Sequence, residues 1–526
     1  MNGKMNRSQR PPRFSPTSIF HIMSGREKLI LDSMGEVGPF QVKIFLLISL
    51  LKFPTAWTLL GMIFMGAPVP FTCTDSTQEC VDSAGQECHH WTYNRTVFRE
   101  TIATEWDLVC GRKHLTNLAQ TTYMIGILFG TILFSMASDK WGRKKPLILT
   151  GVLQLVTGVA SSIVPWYWGF IALRFVQALC VGGNMTISFV ICMEVLNGSW
   201  RTIMATLTHI PFNIGSIIMS VIAYYTREWR LFQFIVSLPI GIIIFYWWLI
   251  PESPRWLVAV GKDKEALALL QKIAKINQRT VPEKIPEKVG KDMVSENKAG
   301  FVDLFRTPNM RMKTLIVWAN WTNIGLCFFG LEQYLSHSGG DIFVNVAASS
   351  AFMIPGVLAS IYTMDKFGRK LTLFGGQILA AVSCLIILVL PQSLPHLEWY
   401  RVCFATVGVT GTAVGFTTLY LYSSELFPTV VRNTGLGSGS MCARIGSMIA
   451  PFVASLAQVI SPQVPAAFFG ASSLTSALLC LLLPETVRTS LPVTLEDGEN
   501  FGKKNKEVNA NGTTNNGYVE EYPMES

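Results

Sequence analysis

Twelve apolar runs, most of them about as long as the 20 residues a helix needs to cross a bilayer, set the narrowest limit on what this chain can fold into. They fall near residues 44–65, 116–138, 146–164, 167–192, 203–225, 231–250, 314–335, 341–363, 371–391, 399–422, 434–459 and 464–484. Inside hydrocarbon every backbone N–H and C=O must be satisfied within its own segment or a closed barrel, and runs of this length read as helices. Half of the 526 residues are apolar and only 15% are charged, which leaves no room for a large soluble domain. The expected fold is an all-α membrane protein with twelve transmembrane helices, and its first partner is the lipid bilayer. The formal charge of +9 does not imply nucleic acid, because Lys and Arg sit in the tails and short connections, as they do in cytoplasmic loops.

The runs divide the chain into a tail (1–43), a six-helix bundle (44–250) with a long external loop (66–115), a linker (251–313), a second six-helix bundle (314–484) and a polar tail (485–526) expected to be disordered. The first tail is basic at Arg7, Arg10, Arg13, Arg26 and Lys28 and lacks a signal-peptide pattern, so the first run is read as the anchor. An even number of spans places both termini on one face. The basic turns at 139–145 and 365–370 assign that face to the cytoplasm, with the plasma membrane as the expected location. The loop holds Cys73, Cys80, Cys88 and Cys110, while the other seven of 11 cysteines lie within spans. Four cysteines in an oxidising loop imply two disulfides with three possible pairings. Disulfides are also the better use of Cys88-His89-His90 than metal ligation, so no metal site is expected. Asn94-Arg95-Thr96 is a glycosylation acceptor, whereas the triplets at Asn6, Asn184, Asn197, Asn320 and Asn511 fall in membrane or cytoplasm. In the linker, Ala266, Leu267, Leu270 and Ile273 keep a helical period that predicts a surface helix.

The two halves repeat one another. Asp139…Arg143 recurs as Asp365…Arg369, Arg174 as Arg401, Glu194…Arg201 as Glu425…Arg432, and Pro251-Glu252 as Pro484-Glu485. Paired six-helix bundles around a midplane site are how alternating-access carriers are built. Carboxylate and guanidinium groups at span ends, Glu194 with Arg201 for example, can close the inner face by bidentate hydrogen bonds and part when it opens. The expected gate residues are Asp139, Arg143, Glu194, Arg201, Asp365, Arg369, Glu425 and Arg432. The plainer alternative is charge that sets topology and caps helix ends.

Asp139-Lys-Trp-Gly-Arg-Lys144, Arg174-Phe175, Pro251-Glu-Ser-Pro-Arg-Trp-Leu257 and Pro484-Glu-Thr486 resemble the signature motifs of the major facilitator superfamily. Thr104-Glu-Trp-Asp-Leu-Val-Cys110, Asp303-Leu-Phe-Arg-Thr-Pro308 and Ser424-Glu-Leu-Phe-Pro-Thr-Val-Val-Arg-Asn433 are similar to the organic cation, carnitine and organic anion transporter family within it, solute carrier family 22. The resemblance runs from the first span to the twelfth. Sugar carriers share Pro-Glu-Ser-Pro-Arg and Gly-Arg-Lys, but they lack the cysteine loop and usually carry a Gln-Gln pair in the seventh span. The corresponding stretch here, Asn320 to Glu332, has no such pair.

Ionisable groups deep in a span are costly and are functional candidates by default. Arg444 lies about ten residues into the eleventh run, roughly halfway across the core at about 1.5 Å per residue, where a guanidinium can hold a carboxylate. The alternative is a structural pair with an acid such as Glu332. The resemblance implies an Asp at this position in cation carriers and an Arg in anion and carnitine carriers. It also implies an aromatic cage from Phe212, Trp321, Phe328 and Phe416, which would attract ammonium groups and flat organic ions. Met353 stands where many relatives have a Glu, and Ile361 where the family has a small residue. Lys52 is a second intramembrane cation, with snorkelling to the interface as its alternative; Glu332 is the acid that would greet an amine, with an interfacial position as its alternative. His209 is read as packed or pore-lining. Gly435-Leu-Gly-Ser-Gly439 lacks the strand and Lys-Ser of a phosphate loop, and no nucleophile and base stand together, so no enzyme is expected.

These residues point to a carrier of small organic ions, a carnitine-like zwitterion or an organic anion first. No cofactor is expected beyond coupling to Na+ or H+. A polyspecific organic cation carrier is the alternative among transporters, and a transport-inactive receptor or scaffold the alternative of another class.

Overall fold

The computed structural model describes residues 25–74, 80, 88–196, 200–281, 283–285, 301–335, 339–390, 398–461, 463–487, 489, 491–492, 494–502, 507–508 and 514–515. Arg7, Arg10, Arg13, the triplets at Asn6, Asn197 and Asn511, the Arg201 side chain and most of the tail after 502 lie outside the described residues.

The apolar runs fold into twelve helical spans. The first is Pro39–Leu60, continued by Met62–Met65. His114–Trp141, Lys144–Ile163 and Tyr167–Val195 form the second to fourth. The fifth is made of Trp200–Leu207 and His209–Thr226, and the sixth of Trp229–Ser237, a 3-10 stretch Leu238–Phe245 and Tyr246–Leu249. Pro308–Leu335, Ile342–Lys366, Arg369–Val389, Glu398–Leu426, Arg432–Val459 and Val464–Cys480 complete the set. Among the described residues 10 helices are long and apolar enough to cross a membrane alone. Breaks have local causes. The first span is interrupted at Gly61, between Pro39–Leu60 and Met62–Met65, and the sixth loosens at Pro239, which has no N–H to give.

The face opposite the termini is covered by the cysteine loop. Of the three pairings open to it, the structure takes Cys73–Cys88 and Cys80–Cys110, around a hairpin of Phe71–Cys73 with Trp91–Tyr93. Glu105 ties the loop to the bundle: Trp229 Nε1 donates to it at 2.6 Å, Arg230 pairs with it, and Arg230 also donates to the Ser162 carbonyl at 2.8 Å. The Tyr93 hydroxyl donates to Asp107 at 2.8 Å, and burial together with that bond pushes the phenol above its ordinary pKa.

At the termini face the linker forms helices Pro254–Val260 and Asp263–Ile276. Ala266, Leu270 and Ile273 are buried against Ile30 and Met34 of the helix Gly25–Met34. The expectation of a disordered tail from 485 fails for its first part. Leu495–Asn500 is a short helix capped by Thr494, and Glu499 accepts hydrogen bonds from the backbone N–H groups of Asn309 and Met310. Lys313, fully buried, donates to the carbonyls of Gly498 and Phe501 at 2.8 and 2.6 Å. The free N–H groups at the start of the seventh span and a buried ammonium both need acceptors, and the tail supplies them.

Candidate functional site

The repeated landmarks assemble twice at the termini face. Arg143 donates to Glu194 at 2.9 Å and to Asp139 at 2.5 Å; Arg369 donates to Glu425 at 3.0 Å, with Asp365 at 4.0 Å. Burial disfavours the charge on Arg143, but its bonds to Glu194 and Asp139 outweigh that and hold the pKa above the ordinary value. The Arg201 side chain of the expected Glu194–Arg201 pair lies outside the described residues. Glu194 faces Arg143 at the end of the second span, and among the described residues no ion pair joins Glu425 to Arg432, whose Nε donates to the Phe427 carbonyl at 3.4 Å. The second and fourth spans end side by side, which brings Arg143 to Glu194. Among the described residues, each of these ion pairs therefore joins groups within one bundle.

The second half of each landmark also gains a role that its sequence did not declare. Glu252 accepts from the backbone N–H of Arg143 at 2.7 Å and of Lys144 at 3.3 Å, and Glu485 accepts from Arg369 N and Lys370 N at 2.9 and 3.0 Å. Both carboxylates cap the helix that follows the basic turn, satisfying first-turn donors beside a positive dipole end. The twofold repeat of Pro-Glu was the signal.

Near the middle of the bundles, Arg444 is 6% exposed, its Nε has no hydrogen-bond partner, and its electrostatic neighbours are Tyr420 and Tyr123. The alternative pair with Glu332 is not formed among the described residues. Trp321, Phe328 and Phe416 do meet: Trp321 and Phe328 lie 5.6 and 6.4 Å from Phe416. Tyr420 joins them, 4.6 Å from Trp321 and 5.4 Å from Phe416, and His209 approaches Phe416 at 6.1 Å. Phe212 packs on the same apolar cluster as Phe328, one turn from His209, with no ring contact to the group. Lys52 is half-buried thirteen residues into the first span, with Cys192 and His209 as electrostatic neighbours. Glu332 is 1% exposed and lies away from Arg444, accepting from Ser349 at 3.2 Å. The aromatic group and Arg444 come from the second bundle; Tyr123, His209, Phe212 and Lys52 come from the first.

Sequence reasoning missed Tyr420 and Tyr123. Tyr420 follows Phe416 by four residues and so shares its helix face, which was a readable sign. Arg174, taken only as a repeat landmark, is wholly buried 4.3 Å over the Tyr123 ring, with three guanidinium nitrogens unpartnered among the described residues. Tyr123 thus has Arg174 and Arg444 as its two charged neighbours. Asn94 is exposed just after the hairpin strand.

A family model described as "Sugar (and other) transporter" matches residues 62–494. The chain is 32% identical over 524 residues to the "Organic cation transporter protein" of Drosophila melanogaster, covering 90% of this chain and 95% of that one. It is 31% identical to human "Solute carrier family 22 member 13" (89% and 92% covered) and 30% identical to "Solute carrier family 22 member 3" of Rattus norvegicus (90% and 95%). Among solved structures, the proton:xylose symporter XylE bound to 6-bromo-6-deoxy-D-glucose gives a TM-score of 0.62 at 17% identity, covering 88% of this chain and 98% of that one. The inward open xylose transporter XylE from E. coli gives 0.61 at 17%, covering 87% and 99%. At that identity the likeness speaks to the fold alone.

Proposed function

This chain belongs to the sugar (and other) transporter family, and within it to the solute carrier 22 transporters, and from that premise we propose that it carries a carnitine-like zwitterion or an organic anion by alternating access. The observation that carries the reading is Arg444, a buried guanidinium at the level where the two bundles meet, without an acidic partner among the described residues. An uncompensated ion in such a place costs several kcal/mol, and a substrate carboxylate is the group that would complete it, through paired N–H···O bonds. Trp321, Phe328, Phe416 and Tyr420 offer ring faces and edges to the organic body of the substrate, and a quaternary ammonium is drawn to such faces. On this reading the termini are cytoplasmic, which the basic turns favour, and the cysteine loop and Asn94 lie outside a plasma membrane.

The test is uptake into protein-loaded liposomes of a labelled carnitine-type betaine beside the same quaternary amine without its carboxylate. Saturable preference for the betaine is expected, and Arg444→Ala should remove that preference. Preference of the unaltered protein for the bare amine would overturn the role of Arg444. A second reading has its own support: the Drosophila relative is named an organic cation transporter, and so is one from Caenorhabditis elegans. In that case the aromatic group selects the cation and Arg444 is neutralised from within. No saturable uptake of either compound would turn the choice towards a receptor or scaffold.

A further inference from the structure

We propose that Glu332 is a proton-binding site set in the seam between the two bundles, so that closing the seam around the carrier's loop face selects the protonated form. The inference rests on the transporter reading and adds the ion that drives it.

The seam holds a cavity of about 20 Å3 lined by Leu60 and Ile63 of the first span, Gln120 of the second, Phe329, Glu332 and Gln333 of the seventh and Pro451 of the eleventh. Two polar atoms in this lining lack a hydrogen-bond partner among the described residues: Glu332 Oε2 and Gln120 Oε1. Both belong to residues more than nine-tenths buried, at 1% and 8% exposure. The other carboxylate oxygen, Oε1, has one partner, the Ser349 hydroxyl at 3.2 Å. The elements packed around Glu332 carry titratable or charged groups that include Lys52 in the first span, His114 and Tyr123 in the second, Tyr362, Asp365 and Lys366 in the eighth, Arg401, Tyr420 and Glu425 in the tenth, Arg444 in the eleventh, and Lys313, Cys327 and Tyr334 in its own. No ion pair among the described residues joins any of them to Glu332.

A carboxylate enclosed in this way, with one hydroxyl for company, carries an effective burial penalty of several kcal/mol. Adding a proton to Oε2 removes the charge and turns an unsatisfied acceptor into a donor. The new O–H then faces Gln120 Oε1, the other unsatisfied acceptor, directly or through a single water for which the cavity has room. The Oε2–H bond forms as an O–H bond of a hydronium ion breaks, and the water left behind returns to solvent. A sodium ion fits less well, since hard cations gather about six or more oxygens and the lining offers two free ones. An organic ammonium does not fit a water-sized space at all.

Because the cavity wall is shared between bundles, separation of the first and second spans from the seventh and eleventh would wet Glu332 and release the proton, and closure would require its return. The site therefore couples protonation to the conformational change without touching substrate.

Two measurements test this. In proteoliposomes, an inward proton gradient should raise the initial rate of uptake at least about threefold over symmetric pH, and Glu332→Gln should bring that ratio to about one. Independently of transport, infrared spectra of the purified protein should show a carboxylic-acid carbonyl band that titrates and is lost in Glu332→Gln, with Glu105→Gln as a control that keeps it. A Glu332→Gln protein that retains the full proton response, or the titrating band, would overturn the proposal, as would a sodium response in its place that the substitution abolishes. Absence of saturable uptake in the unaltered protein would sink the transport reading alone, because the infrared band still decides the proton site.

Discussion

Arg444 combines three properties that seldom coincide: a permanent charge, 6% exposure and an unsatisfied Nε. Charge-assisted hydrogen bonds to a ligand are worth about 1.5–3 kcal/mol, so Arg444→Ala should raise KM for a carboxylate substrate by about 10- to 100-fold, with surface expression unchanged by biotinylation. Arg444→Lys keeps the charge but offers a point donor in place of a planar fork; it should recover only part of the loss, and full recovery would show that charge without geometry is enough. Arg444 was legible in the sequence because a charge inside an apolar run stands out against its neighbours. Tyr123 was not, since a tyrosine in a span is ordinary and only packing brings it to a guanidinium. Glu105 was legible as part of a motif but not as the tie between the loop and Arg230, a contact across more than a hundred residues that no local pattern encodes.

The basic turns show how a short element is fixed by two residues at a time. Gly142 and Gly368 have φ of +93° and +90°, where a side chain is strained, and a Cβ on either would meet the capping carboxylate, Glu252 at 2.3 Å or Glu485 at 2.5 Å. Gly142→Ala and Gly368→Ala should each destabilise the protein by about 1–3 kcal/mol, read as a lower unfolding temperature in detergent. Equal effects are expected because the two turns are built alike, and a neutral result at either would contradict the close approach of the carboxylate. At this scale the sequence displayed the repeat and the helices faithfully, since hydrophobic length and matched landmarks are local. It misassigned Arg432, since Glu425 goes to Arg369, because partner choice depends on which helix ends are neighbours. It also missed the helix Leu495–Asn500, a polar stretch that orders only because Asn309, Met310 and Lys313 need its acceptors.

For the whole molecule, the division of labour among contacts decides how it can move. The ion pairs at the termini face lie within bundles, and so each bundle can travel as a unit with its pairs intact. What crosses the seam is weaker: Ser350 donates to Ser216 at 2.7 Å, Thr121 to the Met448 carbonyl at 3.0 Å, and Phe64 stacks on Phe343 at 5.5 Å. Towards the termini, ring contacts such as Phe189 with Tyr420 at 6.0 Å take their place. Hydroxyl and ring contacts of this kind contribute about 1 kcal/mol each, little enough to be exchanged in a rocking step. If the seam opens during each cycle, a covalent bond across it must stop transport. Ser216→Cys with Ser350→Cys, in a Cys403→Ser background that removes the exposed thiol, should form a disulfide under mild oxidant. Uptake should then fall to below about a tenth of the unoxidised rate, since alternating access requires the bundles to part. Each single-cysteine protein should keep its rate under the same treatment, and gentle reduction should restore the double variant. The single variants exposed to the same reductant separate that recovery from any effect on Cys73–Cys88 and Cys80–Cys110. Full transport by a cross-linked protein would mean that the Ser216–Ser350 contact persists through the cycle and that the moving boundary lies elsewhere.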